Sequence, residues 1–231
     1  MNLELFTLLK KETDWYLNQL HDLKGLQLDC SIAFQSHLKE FRRSQALSSK
    51  QSRIPISKLD EAGIIYSNGA PNDPNALIFH ESTQGQLKAR LSPNGLNEIL
   101  IVQFCTIMTY EYWEHLRGKL AQILQVKRND ISIDIFGELR RLRHDIVHNK
   151  GYSTKDHSSK NNILDWFTEG DKIEIHEKNY ELLIEKIFIS INDFIESKTS
   201  IKPYTEFSLC QHGKARQIRA IKAGKMNIVK P

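Results

Sequence analysis

The chain predicts a mainly α-helical bundle with a small β-rich insertion between its amino-terminal and central helices. Apolar residues recur at helical spacing through residues 3–23, 97–124, 133–148 and 179–197. Between residues 52 and 96 the composition turns to β-branched and aromatic runs broken by Gly, Pro and Asn. At 231 residues the chain is long enough for one such domain, 1–200, and a short tail, 201–231.

In the first segment, Leu5, Leu8, Leu9, Tyr16 and Leu20 form one helical face, flanked by Trp15. Gly25 marks a break before a second helical stretch from Ile32 to Leu47, although one long two-part helix fits the same pattern. The runs "RIPISKL", "GIIYSNG", "ALIFHES" and "GQLKARL" then read as short strands separated by turns such as "NGAPNDPN". Polar turns place this insertion at the surface, either as a partner-binding or dimer-contacting flap or as a loop with no dedicated role. From Asn97 to Leu124 a broad apolar face built on Leu100, Phe104, Ile107, Met108 and Leu116 predicts the central core helix. The next helix runs from Ile133 to His148 and stops at Asn149, Lys150 and Gly151. "WFTEGDKIEI" reads as a strand or turn, and Asn179–Ser197 as a strongly apolar closing helix.

The opening residues lack a basic stretch and a small-residue cleavage site, which predicts no signal peptide. The longest apolar stretch, around Ile99 to Met108, is broken by Gln103 and Thr106 and falls far short of a bilayer span of roughly 20 residues. Cys30, Cys105 and Cys210 are widely spaced and odd in number, so neither a disulfide framework nor a cysteine zinc site is expected. Together these predict a cytoplasmic protein with no membrane association. Of the net charge of +4, the tail alone carries +6 through seven basic residues against Glu206. The preceding body is therefore slightly acidic, and the positive field lies in the tail.

Chemistry concentrates in "RHDIVHNKG", residues 143–151. On a helix, Ile135, Leu139, Leu142 and Ile146 share the core sector, while Arg140, His144 and His148 form a polar row at i, i+4, i+8. Arg143 lies at the edge of the apolar stripe, about 140° from His148, so spacing alone does not bring the two together. The residues "RHDIVH", with "YEYWEHLR" before and "WFTEGDKIEI" after, resemble the HEPN family of helical proteins, many of them metal-independent endoribonucleases. The likeness covers roughly residues 97–197, the amino-terminal helix supplying the remaining bundle helix.

This resemblance implies a homodimer in which two motifs meet as a composite site, with Arg143 and His148 catalytic and His144 and Asn149 supporting. Asparagine is the more frequent residue where His144 stands. Histidine suits proton transfer near neutral pH, and the arginine fork suits a phosphate. Glu114 is a candidate to orient Arg143, which otherwise reads as a surface arginine paired with Glu111 or Glu114. His148 alone reads as a histidine favoured by a helix carboxyl end. Arg140, Arg141 and Lys150 beside the motif, and Lys214, Arg216, Arg219 and Lys222 in the tail, are candidate RNA-phosphate contacts. A solubilising tail, or one that docks on an acidic antitoxin, accounts for the same charges.

His144 and His148 also have the i, i+4 spacing of a zinc-binding helix, but Asp145 is one methylene short of the usual glutamate base. His157 and His176 follow no recognised ligand spacing, so no metal or other cofactor is expected. Two functions follow from the resemblance. One is a toxin or antiphage effector cleaving tRNA or mRNA; the other is an inactive module of the same fold that binds nucleic acid, a nucleotide or a partner protein.

Overall fold

The computed structural model describes residues 3–70 and 73–205. In chain order the elements are α1 (Leu3–Ser52), α2 (Ile56–Asp60), β1 (Gly63–Ser67), β2 (Ile78–Thr83), α3 (Gln84–Leu91), α4 (Leu96–Leu124), α5 (Asp134–His148), α6 (Lys155–Lys160) and α7 (Glu177–Thr199). The fold is mainly α with one small antiparallel hairpin, β1 paired to β2. Among the described residues no helix is long and apolar enough to cross a membrane.

Gly25 does not break the first helix; α1 is continuous over 50 residues. A glycine inside a helix costs only about 1 kcal/mol relative to alanine, and its neighbours are held. Lys24 reaches Glu177 and Glu181 at 2.9 Å each, and Cys105 Sγ lies 3.5 Å from the Leu23 carbonyl.

The chain forms two compact units. One comprises the described residues up to Gln27 and from Val102 onward; the other spans Leu28–Ile101. The second is larger than the expected 52–96 insertion, for a physical reason. A two-stranded sheet is marginal in water without apolar cover, and here Leu87 and Leu91 of α3 pack with Leu38 of α1, flanked by Phe34, Phe41 and Ile64.

Only two of the four expected strands form. "RIPISKL" contains the short α2, and "GQLKARL" is α3. Helix wins at α3 because Thr83 and Gln86 make a reciprocal capping box: Gln86 N–H donates to Thr83 Oγ1 at 3.2 Å, and Thr83 N–H donates to Gln86 Oε1 at 3.0 Å. Gly95 then turns the chain into α4; a β-carbon there would lie 2.5–2.7 Å from three backbone carbonyl oxygens.

In the first unit the core joins four helices: α1 (Leu9, Tyr16, Leu20), α4 (Leu116, Leu120), α5 (Ile135, Leu139, Leu142) and α7 (Tyr180, Ile187). Phe136 of α5 stacks on Trp113 with ring centres 3.7 Å apart and meets Tyr16 edge-on. Tyr16 donates to the Thr109 carbonyl at 3.2 Å, and burial lifts its hydroxyl well above the ordinary tyrosine range. After α7, Tyr204 donates to Asp14 at 2.8 Å while its backbone pairs in both directions with Asn192. That clasp ties Tyr204 to both α1 and α7.

"WFTEGDKIEI" forms a turn, with Tyr152 and Lys172 in an isolated antiparallel bridge. Ile173 N–H donates to the Gly151 carbonyl at 2.7 Å, and Ser153 N–H to that of Asp171 at 2.8 Å.

Candidate functional site

Helix α5 exposes Arg140, His144 and His148 and buries Ile135, Leu139 and Leu142, as the 3.6-residue period requires. Ile146 is only partly buried; its place in the core face is taken by Phe136 and by two acids, Glu138 and Asp145.

Those acids build the ground beneath the motif. Glu138, 4% exposed, accepts the backbone N–H groups of Asn162, Ile163 and Leu164 at 2.6–3.1 Å. Asp145, 1% exposed, accepts from Asn149 Nδ2 at 2.6 Å, Thr154 N–H at 3.0 Å and Thr154 Oγ1 at 3.1 Å. Its backbone carbonyl also takes the N–H groups of Asn149 and Gly151. Lys150 and Gly151 follow with φ of 56° and 77°, so the helix ends in left-handed backbone. Asn149 thereby braces the carboxyl end of α5.

His157 lies beside this network, 1% exposed, with Nδ1 3.2 Å from Asp145 Oδ2. Neither ring nitrogen has a hydrogen-bond partner among the described residues; the ring sits near the carboxylate but off the hydrogen-bonding direction. Burial lowers its pKa below the ordinary histidine value, and the Asp145 charge opposes this only in part.

A cleft of about 720 Å³ opens above, walled by Tyr110, Arg140, Arg141, Arg143, His144 and Asn149 among others. Arg143 lies over the Tyr110 ring, its guanidinium carbon 5.9 Å from the ring centre, and pairs with Glu111 at 3.0 Å. Glu114, the expected orienting partner, makes no ion pair with Arg143 among the described residues. One helical turn beyond Tyr110, it accepts that hydroxyl at 3.0 Å and binds Arg128 and Arg117. Burial first, then the Glu114 hydrogen bond, pushes the Tyr110 hydroxyl up to about 12. Glu114 thus reaches Arg143 only through the tyrosine beneath it.

His144 and His148 lie ring beside ring, centres 4.8 Å apart. His148 is exposed and stands outside the cleft that Arg143 and His144 wall. No group of three metal-ligating side chains forms around the two histidines among the described residues.

Arg140 makes no salt bridge among the described residues, and its charge opposes the upward shift of Tyr110. Arg141 donates to Asn161 Oδ1 at 2.8 Å and to the Lys160 carbonyl at 3.0 Å. It therefore tethers the α6 loop while keeping its charge unneutralised. Asp156, also on the cleft, is paired with Lys160, which holds its carboxyl below the usual range. Lys150 is exposed. Lys214, Arg216, Arg219 and Lys222 lie outside the described residues.

Tyr110, Glu138 and Asp145 were not singled out as site residues by spacing. For the two acids spacing gives little signal: they stand seven residues apart on the flank of the apolar sector of α5, where a carboxylate is ordinarily solvated. Compared with family models, curated proteins and solved structures, the chain matches none.

Proposed function

We propose that this protein is a metal-independent endoribonuclease of HEPN type, acting on tRNA or mRNA as a homodimer in the manner of a toxin or antiphage effector. The observation that carries the reading is the grouping on one solvent-facing side of α5. There, two neighbouring histidines stand beside a cleft walled by three arginines. Such a surface attracts phosphate and presents two imidazoles as candidate proton donor and acceptor.

In this reading one His148 takes the proton from a ribose 2′-hydroxyl, whose oxygen attacks the adjacent phosphorus. The bond to the 5′-oxygen breaks, that oxygen receives a proton from the His148 of a second copy, and a 2′,3′-cyclic phosphate remains. Arg143 spreads the developing charge over its fork. That His148 stands outside the cleft walled by Arg143 fits a site completed by a second copy. Asp145, through Asn149, holds the helix end that carries His148.

A second reading, a phosphate-binding module without cleavage, draws on the Arg143–Glu111 pair, which occupies the guanidinium in the free protein. Rates of RNA cleavage separate the two. Arg143→Ala and His148→Ala should each slow cleavage roughly 10²–10⁴-fold, the size of a general acid–base contribution, with folding unchanged. A purified wild type that binds RNA and never cuts it supports the second reading instead.

A further inference from the structure

The carboxyl-terminal half of α1, within the second unit, carries a basic face that the α5 motif does not use. Residues 39–53 hold five basic residues against one acid, Glu40, in a body that is slightly acidic as a whole. Lys39, Arg42, Arg43, Lys50 and Arg53 are all exposed. At 100° per residue, Lys39, Arg43 and Lys50 fall within a sector of about 40°; Arg42 stands about 60° to one side of Lys39 and Glu40 about 100° to the other. The apolar face of the same stretch, Phe34, Leu38 and Phe41, lies about 150° round the helix and packs with Leu87 and Leu91 of α3.

A solvated helix face ordinarily mixes its signs. Earlier in α1 the cations are indeed paired: Lys10 with Asp14 at 2.7 Å, and Lys24 with Glu177 and Glu181 at 2.9 Å. None of the five later cations has an acidic partner among the described residues. Like charges one turn apart, as at Lys39 and Arg43, oppose helix formation. The helix dipole favours a cation only within the last turn, which accounts for Lys50 and not for the three charges before it.

We propose that this face of α1 binds the phosphate backbone of RNA, as a contact surface additional to the α5 cleft. Charge complementarity selects a polyanion. From Lys39 to Lys50 the face runs about 17 Å along the helix axis, long enough to lie against several successive phosphates. Exposed Gln35 and Ser36 beside the cations suit sugar and phosphate contacts. A membrane-lying helix would set Trp, Phe or Leu next to its cations, and a protein interface would have an apolar centre. Here Leu47 is the one exposed large apolar side chain of residues 35–53. The choice of RNA among polyanions rests on the function proposed above, but the contact itself requires no cleavage.

The test is binding of a fluorescein-labelled single-stranded RNA of about 20 nucleotides, followed by anisotropy across a salt series. The full-length protein carries His148→Ala throughout, so that the probe stays whole. Lys39→Gln, Arg43→Gln and Lys50→Gln combined should weaken binding roughly tenfold or more near physiological salt. They should also flatten the slope of log affinity against log salt by about 2, at about 0.7 per lost contact on a single strand. Lys11→Gln, Lys178→Gln and Lys198→Gln combined remove the same charge from positions outside this face and should change neither value. All six positions are exposed, so both variants should keep the wild-type circular dichroism. Unchanged binding in the first variant, or equal weakening in both, would overturn the proposal. So would single-stranded DNA of the same sequence, or phosphatidylserine vesicles, displacing the probe at lower concentration than unlabelled RNA does. Cleavage by the protein with His148 intact tells the two proposals apart. A protein that cuts RNA yet binds it equally with the face neutralised overturns this inference alone; one that needs the face to bind and never cuts supports it and removes the nuclease reading.

Discussion

Asp145 is the residue on which the motif region most depends. It is buried, and at least three donors converge on its carboxylate from the helix end and the following loop. Asp145→Ala would leave Asn149 Nδ2 and both Thr154 donors without their acceptor, at about 1–3 kcal/mol for each that stays buried. We expect a loss of about 3 kcal/mol in urea unfolding, with Asp145→Asn recovering part of it. A loss below about 1 kcal/mol would mean that the loop finds other acceptors. His157 gives the same region a pH dependence of defined sign. Its folded pKa lies below the model-peptide value of 6.5, chiefly through burial. The unfolded chain therefore binds the proton first as pH falls, and stability drops from about pH 6.5 down to the folded value. Folding free energies measured from pH 8 to 5 should decline in wild type and decline less in His157→Gln; parallel curves would assign the dependence to other groups. None of this was legible from spacing. His157 follows no motif, and the value of Asp145 comes from donors four and nine residues further along the chain, on Asn149 and Thr154.

At the scale of elements, the helices were legible because their apolar faces are long: α4, α5 and α7 begin and end within two residues of the expected bounds. The insertion was misread where runs are short. "GQLKARL" alternates well enough for a strand, and the capping box at Thr83 and Gln86, present in the sequence, decides for helix. The turn from α3 into α4 depends on a single hydrogen atom. Gly95→Ala would drive a β-carbon to within 2.7 Å of the carbonyl oxygens of Ala89, Arg90 and Ser92, and backbone, unlike a side-chain tip, cannot swing aside. Thermal unfolding should report a loss of about 2 kcal/mol; an unchanged midpoint would show that the turn opens freely.

Across the whole molecule, the division into two units was hidden because its borders fall inside α1 and α4, where the helical period continues without a break. Charge distribution, in contrast, could be read directly: a slightly acidic body, a strongly basic tail, and arginines gathered on α5. The function rests on how that last cluster acts on RNA. The most direct measurement is the chemistry of RNA ends after incubation with the purified full-length protein in excess EDTA, with His148→Ala in parallel. Our account predicts 2′,3′-cyclic phosphate and 5′-hydroxyl ends from wild type and essentially none from the variant. Cleavage that persists in His148→Ala, cleavage that stops when metal is chelated, or intact RNA under every condition would contradict it.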